Sequence, residues 1–248
     1  MTVEPCALIP WDSAFWGMPI ARVVNGRLTP EDVPAIERWC AANGIRCLYL
    51  LLPCDDSEGS RTAAESSFRQ VDVRLRFERR LDDRRLAPLP PGIQPAIPED
   101  APALREIAAA SHGATRFFAD GRFPRDGCRE LYATWIERSI GGYAEQTLIH
   151  VDDRGPAGYI TLHLPEGECA GTIGLLAVAE RARRRGAGRA LVEAGLDWLA
   201  AHGAERASVV TQGANLASRA LYERAGFAFA ECGLWHHRWF VAGEGAGS

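Results

Sequence analysis

Residues 174–191, GLLAVAERARRRGAGRAL, carry an apolar strand directly into an arginine- and glycine-rich loop and then into a helix. Gly186 and Gly188 have no Cβ, so the backbone amides around them can turn toward a single point. The helix that starts there adds N–H groups without intrahelical partners and a partial positive charge. This pattern predicts a cradle for a pyrophosphate group. The alternative is a solvated basic loop with a glycine turn.

The arginines of this loop form a local basic patch in a chain whose formal net charge is −4. Such a patch favours a small phosphorylated ligand over a long polyanion, so we expect neither nucleic acid nor an anionic membrane as a partner. Arg184, Arg185 and Arg189 can add charge-assisted hydrogen bonds to the phosphates.

A second group of residues follows the loop at a set distance. The spacing Arg183-x-x-Gly186-x-Gly188 is followed about thirty residues later by a strand at 207–211, and then by Asn215, Tyr222 and the pair Gly226-Phe227. Together the two halves resemble the acetyl-CoA signature of the GNAT superfamily of N-acetyltransferases. The resemblance implies an α/β fold in which a mixed, mostly antiparallel central sheet is flanked by helices.

The same resemblance implies acetyl-CoA as the cosubstrate, with its pantetheine arm between two strands that splay apart. The acceptor amine then attacks the thioester directly, without a covalent enzyme intermediate, and the amide of Val178 or a neighbour stabilises the oxyanion. The cofactor-binding residues that it implies are Leu176, Ala177, Val178, Arg183, Arg184, Arg185, Gly186, Ala187, Gly188, Arg189, Ala190, Asn215 and Tyr222.

Two of these residues have a role of their own in the resemblance. Tyr222 is the implied general acid, which protonates the departing thiolate; alternatively, it is a helix tyrosine that fills the groove. Asn215 orients the pantetheine arm or a water, or else it is the N-cap of its helix.

A proline-rich segment divides the chain. Residues 87–98, APLPPGIQPAIP, contain five prolines and are typical of a linker that merges into a strand. We therefore expect a smaller α/β N-terminal domain over residues 1–88, a GNAT domain over residues 92–241, and a flexible glycine-rich tail over residues 242–248. Within these parts we expect a helix from Pro30 to about Ala42 and strands across residues 227–240.

Several blocks carry a narrower resemblance, to the bacterial TDP-fucosamine acetyltransferases. They are Trp11–Gly17, Thr115–Phe117, Tyr132 with Trp135 to Glu137, Ile173–Ala177 and Val210–Gly213. The resemblance implies acetyl transfer to the amine of a nucleotide-linked amino sugar, of the TDP-4-amino-4,6-dideoxyhexose type, for polysaccharide biosynthesis. It also implies that the N-terminal domain contributes to the substrate cleft.

Three residues would serve this substrate. Asp72 binds the substrate ammonium or accepts its proton, Arg116 binds a nucleotide phosphate, and Phe117 stacks on a base or sugar. The alternatives are a solvated Asp72 paired with Arg74 or Arg76, and core packing for the aromatic residues. The reaction also has alternatives: acetylation of another primary amine, such as an antibiotic aminosugar, a polyamine or a protein N-terminus, or a non-catalytic acyl-CoA-binding module.

Cysteine usage bears on the compartment. The seven cysteines are irregularly spaced and form no CxxC, so we expect reduced thiols in a cytoplasmic protein. No metal site is expected, because His236-His237 lies in an alternating strand where only one can face inward, without a Cys or carboxylate at ligand spacing. The sequence is compatible with a homodimer and does not specify the oligomeric state.

Overall fold

The computed structural model describes residues 4–81, 88–165 and 167–240. Its strands are β1 Cys6–Leu8, β2 Ile20–Val23, β3 Cys47–Pro53, β4 Arg69–Arg80, β5 Ile93–Pro95, β6 Gln146–Asp152, β7 Gly155–His163, β8 Ala170–Val178, β9 Arg206–Gln212 and β10 Ala228–Trp239. Its helices are α1 Pro10–Trp16, α2 Val33–Ala42, α3 Ser57–Glu65, α4 Ala101–Ser111, α5 Arg116–Asp120, α6 Arg125–Arg138, α7 Ala187–Ala201 and α8 Leu216–Arg224.

The described chain divides into two compact units. The first contains residues 4–74, 119–122 and 232–240, and the second contains the rest. The first unit therefore receives the end of β10 in addition to its N-terminal residues. The division into domains at residues 1–88 and 92–241 stays a prediction. A division into compact units does not show which segment of the chain folds on its own. The tail at 242–248 lies outside the described residues.

The second unit is built on the strand order β9-β8-β7-β6-β5. Neighbouring strands are antiparallel except β8 and β9, which run parallel. Helix α7 packs its apolar side against this sheet, where Leu191, Val192 and Leu199 join one buried cluster with Ile160 and Leu162. The predicted fold class, a mixed and mostly antiparallel sheet flanked by helices, is confirmed.

The opposite face of this sheet is covered by α4 and α6. Successive residues of a strand point to opposite faces, so Tyr159 points away from α7 while Ile160 points toward it. The Tyr159 hydroxyl lies 2.9 Å from Nε2 of His112, which directly follows α4. The His112 ring in turn stacks on Tyr132 of α6, with 4.4 Å between ring centroids. Both faces of the sheet are therefore buried.

The first unit contains the strand order β1-β2-β3-β10. The C-terminal half of β10 pairs antiparallel with β3, from Gly233 opposite Pro53 to Trp239 opposite Cys47. The prediction that only one of His236 and His237 faces inward is wrong, because both are buried, with 4% and 1% of their surface exposed. Both faces of β10 are covered here, so alternation does not bring either ring to the surface.

Local boundaries differ from the sequence predictions in two places. The helix expected from Pro30 begins at Val33 instead, because Asp32 accepts a hydrogen bond from the Thr29 amide at 3.0 Å and closes a turn first. The last segment is one long strand, β10, rather than several strands. No helix in the described part of the chain is long and apolar enough to cross a bilayer.

Candidate functional site

The N-terminus of α7 begins with backbone amides that point out of the helix, and we call the backbone of residues 186–189 the cradle. Gly186 is the N-cap and has a φ of +90°, a left-handed conformation that favours glycine. The first intrahelical bond runs from the Ala190 amide to the Gly186 carbonyl at 2.9 Å. The amides of Ala187, Gly188 and Arg189 therefore have no helical acceptor, and no side chain among the described residues caps them. These N–H groups are free to bind phosphate oxygens.

The arginines around the cradle are engaged in different ways. Arg183 donates from Nε to the Val178 carbonyl at 3.0 Å and from Nη2 to the Ser111 hydroxyl at 3.4 Å, so it ties the loop to its neighbours. Arg189 forms an ion pair with Glu193 one turn along α7. Arg184 and Arg185 are exposed beside the cradle. A phosphate contact for each of these predicted residues stays a prediction.

Strands β8 and β9 separate beside the cradle. Their paired residues run from Ala170 opposite Arg206 to Ile173 opposite Val209. Strand β8 nevertheless continues to Val178, and β9 continues to Gln212. We call the opening between residues 174–178 of β8 and residues 210–212 of β9 the β8–β9 gap.

The backbone of β8 presents polar groups to this gap. The Ala179 amide donates to the Ala157 carbonyl at 2.8 Å, and Ala177 pairs with Tyr159. In an antiparallel ladder, the alternate residues direct their N–H and C=O groups to the other side. Leu176 and Val178 therefore point their polar backbone groups into the β8–β9 gap, where an extended ligand can pair with them, whereas Ala177 bonds toward β7.

A β-bulge marks the start of the gap. Ile160 lies opposite Leu176 and Leu162 lies opposite Ile173, so β8 contains one residue more than β7 over this stretch. The Thr161 hydroxyl accepts a hydrogen bond from the Leu175 amide at 2.8 Å and replaces the lost ladder bond. Thr161 was not among the predicted site residues. The bulge could have been predicted from Gly174, because a glycine inside an apolar strand often marks one.

Helix α8 brings Tyr222 to the same region. A methyl group at Gly188 would lie 3.5 Å from Cδ2 of Leu221 and 3.6 Å from Cγ2 of Val178, so α8, the cradle and the end of β8 adjoin. Tyr222 is 4% exposed and packs edge-on against Phe227. Burial raises the pKa of its phenol, and no hydrogen bond from the described residues contributes to the shift. The phenol is therefore protonated at neutral pH, as a general acid must be.

Asn215 is the N-cap of α8. Its Oδ1 accepts a hydrogen bond from the Ser218 amide at 3.2 Å. This capping accounts for an asparagine at the position. A contact between its side chain and a cofactor stays a prediction.

The family comparison agrees with this geometry. Residues 103–227, about half of the chain, match the model of the acetyltransferase (GNAT) family. The chain belongs to the GNAT family. The matched residues include β8, the cradle, both strands at the β8–β9 gap, and α8 with Tyr222. The prediction that the chain is an acyltransferase enzyme is confirmed.

Two curated relatives and one solved structure are similar to this GNAT protein. It is 35% identical to the dTDP-fucosamine acetyltransferase of Escherichia coli O6:H1 over 56% of this chain and 59% of that protein. It is 24% identical to the spore coat polysaccharide biosynthesis protein SpsD of Bacillus subtilis over 58% of this chain and 50% of that protein. The chain thus spans between half and three-fifths of the length of these relatives.

The solved structure is a GCN5-related N-acetyltransferase from Sphaerobacter thermophilus. It superposes with a TM-score of 0.65 and 17% sequence identity, over 94% of this chain and 76% of that chain. At this identity the likeness establishes a shared fold.

The predicted substrate residues Arg116 and Phe117 begin the short helix α5 of the GNAT protein. Phe117 is 1% exposed and packs edge-on against Phe123 and Trp135. The guanidinium of Arg116 lies 4.6 Å from the centre of the Phe117 ring. The packing alternative accounts for Phe117 in this structure, and a contact between either residue and a substrate stays a prediction.

Asp72 lies on β4 in the first unit and is half-buried. Its Oδ1 accepts a hydrogen bond from the neighbouring Val73 amide at 2.8 Å. Of the two suggested partners, Arg76 forms ion pairs with Glu78 and Glu231. A role for Asp72 in binding the substrate ammonium or accepting its proton stays a prediction.

Two further observations concern titratable side chains. Burial lowers the pKa of His112 to about 4, so at neutral pH its ring is neutral where it meets the Tyr159 hydroxyl. No short sequence motif reveals this contact, because the partners come from separate elements. Among the described His, Cys, Asp and Glu side chains, no group of three or more is placed to hold a metal ion.

Proposed function

We propose that this GNAT protein transfers the acetyl group of acetyl-CoA to the amine of a nucleotide-linked amino sugar. One observation carries the acetyl-CoA part of the proposal: β8 leaves β9 after Ile173 and opens the β8–β9 gap directly beside the uncapped start of α7. A phosphate group and an extended polar chain can thus be bound at adjoining places.

The two ends of the cosubstrate fit these places by different chemistry. The cradle supplies backbone N–H groups and the positive end of a helix for the pyrophosphate. Arg184, Arg185 and Arg189 supply charge around it, and Ala190 follows in the first turn of α7. Leu176 supplies its amide and carbonyl and Val178 its amide to a pantetheine arm, because the Val178 carbonyl already accepts a hydrogen bond from Arg183.

Tyr222 supplies the proton in this proposal. The amine attacks the acetyl carbon, the C–S bond breaks, and the phenol protonates the thiolate that leaves. Of the amides that face the β8–β9 gap, that of Leu176, the neighbour of Val178 on the side of the bulge, stabilises the negative oxygen of the intermediate. The protein and its solvent therefore supply all the proton transfers without a covalent enzyme intermediate.

The sugar part of the proposal is supported by the relatives and by three residues. The similar proteins named above are a fucosamine acetyltransferase and a polysaccharide biosynthesis protein. Arg116 and Phe117 are proposed to contact the nucleotide, and Asp72 the ammonium. We further propose that residues 1–88 act as the substrate-contributing domain and that the protein works in the cytoplasm, as its reduced cysteine pattern indicates.

A release assay for free CoA thiol tests this function. The purified protein with acetyl-CoA is offered TDP- and UDP-linked amino sugars, with spermidine, an aminoglycoside and a peptide that begins with alanine as controls. We expect the highest kcat/KM with a TDP-4-amino-4,6-dideoxyhexose. Faster release with a control amine would refute the sugar assignment and retain the acetyltransferase.

A further inference from the structure

His163 lies at the point where the β8–β9 gap begins. It is the last residue of β7 and pairs with Thr172 of β8. A methyl group on Gly174 would lie only 2.6 Å from Nε2 of His163 and 2.8 Å from the Thr161 hydroxyl oxygen. Gly174 itself is exposed. A glycine here therefore lets the imidazole lie directly against the backbone of β8.

The other ring nitrogen of His163 faces a carboxylate. Nδ1 lies 3.5 Å from Oε2 of Glu145, and that oxygen also accepts a hydrogen bond from the Leu164 amide at 3.1 Å. The side chains of His163 and Glu145 are 24% and 47% exposed, so a solute can reach the pair. The arrangement is a carboxylate that holds one side of an imidazole while Nε2 faces an open strand.

An exposed aromatic ring borders this pair. Tyr143 is 66% exposed, and its ring meets that of His163 edge-on at a centroid distance of 5.5 Å. The guanidinium of Arg138 lies 5.4 Å from the centre of the Tyr143 ring. The titratable side chains in contact with the imidazole are thus Glu145 and Tyr143, and Arg138 contacts Tyr143 in turn.

The direction of the cosubstrate places its reactive end here. This step rests on the proposed function, in which the phosphates occupy the cradle at the C-terminal end of β8. A chain that starts there and pairs with Val178 and then Leu176 runs toward Gly174. Its thioester therefore arrives near the bulge, and an amine that attacks it approaches His163.

The charge state of the imidazole suits a proton acceptor. Burial lowers the pKa of His163 below its ordinary value, and the Glu145 carboxylate offsets part of that shift. At neutral pH the ring is therefore neutral and has a lone pair to offer. Once it is protonated, Glu145 stabilises the imidazolium.

We propose that Nε2 of His163 accepts the proton of the acceptor amine, and that Glu145 is the positioning residue for its ring. The amine nitrogen forms a bond to the acetyl carbon, the C–S bond breaks, and one amine proton passes to Nε2. The Tyr222 phenol gives its proton to the thiolate. Solvent then takes the proton from His163 and returns one to Tyr222, so the cycle balances.

The first test is the substitution His163→Gln, which keeps a polar side chain but removes the base. We expect kcat/KM at pH 7 to fall about 100-fold, as for the loss of a general base, with the Kd for acetyl-CoA unchanged. Free imidazole should restore part of the activity of His163→Ala, because it supplies the missing lone pair. The matched control is His202→Gln, which alters an exposed histidine at the end of α7 and should keep wild-type kcat/KM.

The second test follows the pH profile of Glu145→Gln. Activity requires neutral His163, so the acid limb of kcat/KM reports the pKa of that ring. Removing the carboxylate removes an interaction that raises this pKa, so the limb should move to lower pH. A merely structural glutamate would leave the limb in place.

The outcomes separate this proposal from the proposed function. If wild-type protein releases CoA and His163→Gln keeps its rate and acid limb, His163 is not the acceptor and the acetyltransferase proposal stands. If the acid limb of kcat/KM disappears in Asp72→Asn and not in the His163 variant, Asp72 is the proton acceptor. If TDP-sugars fail but another amine reacts, the same variants are measured with that amine. If none of the amines causes release of CoA, both proposals are overturned.

Discussion

The two halves of β8 have opposite surroundings. Residues 170–173 pair with β7 or β9 and pack against α7, where a methyl group on Gly171 would lie 2.5 Å from Cδ2 of Leu199. Residues 176–178 pair with β7, residues 174 and 175 form the bulge, and the other side of this stretch faces the β8–β9 gap. The backbone N–H and C=O groups of the first half bond within the sheet. In the second half, some of these groups face the β8–β9 gap, where a ligand can bond to them.

This difference has an energetic consequence. A buried backbone group without a partner costs about 1–3 kcal/mol, so the groups that face the gap must meet water or a ligand. A ligand that replaces that water contributes binding energy. Changes in the closed half should therefore reduce stability, whereas changes around the open half should reduce binding or turnover.

The largest expected effect is on the open side, for Gly188→Val. A Cβ at this position already meets Leu221 and Val178 at 3.5 and 3.6 Å, so the two further methyl groups of valine would push the start of α7 out of place. We expect this shift to cost about two charge-assisted hydrogen bonds to the phosphates, of about 2 kcal/mol each. We expect the Kd for CoA to rise about 1,000-fold, as measured by calorimetry.

The control for this variant is Ala201→Val, which places the same side chain at the other end of α7. It adds a β-branched residue to the same helix, lowers helix propensity by about 0.5 kcal/mol and should keep the wild-type Kd. Wild-type CoA affinity in Gly188→Val would show that phosphate binds elsewhere and that the open half of β8 has no ligand to pair with.

A smaller loss is expected for Tyr222→Phe. Without the phenol, the thiolate must leave unprotonated or take a proton from water, so kcat should fall about 100-fold while the Kd for acetyl-CoA stays constant. Steady-state kinetics and calorimetry measure the two. The comparison variant Tyr49→Phe removes another buried tyrosine hydroxyl and should keep the wild-type kcat. An unchanged kcat in Tyr222→Phe would show that Tyr222 is not the general acid.

The smallest effect belongs to the closed half, for Ile173→Val. Ile173 is 2% exposed and pairs with both Leu162 and Val209, so losing one methylene should lower the free energy of unfolding by about 1 kcal/mol. Urea denaturation measures it, and the Kd for CoA should not change. A rise in Kd that matches the loss of stability would mean that the two halves are not separate in function.

The open half of β8 was only partly predictable from the sequence. The glycine spacing predicted the turn before α7, and Gly186 does adopt the left-handed conformation that this turn needs. The end of β8–β9 pairing at Ile173 depends on which residues of two distant strands lie opposite each other. Register of this kind depends on the packing of both strands, so the sequence of either one does not reveal it.

Side chains outside the cradle show the same limit. His163 and Glu145 are 18 positions apart and meet because β6 and β7 form a hairpin beside the bulge. His236 and His237 were misjudged because an alternating pattern specifies opposite faces but not whether each face is covered. Asn215 stands at the predicted position, and its backbone contact could be anticipated because capping is local.

The return of β10 to the first unit has a practical consequence for dissecting the molecule. A fragment that stops in the proline-rich segment would lack residues 233–239, which pair with β3. Strand β3 would then expose a bare edge along the apolar run Leu48–Leu52, and such edges promote self-association. Truncated versions should therefore precipitate unless the final strand is supplied, for example as a synthetic peptide or by circular permutation.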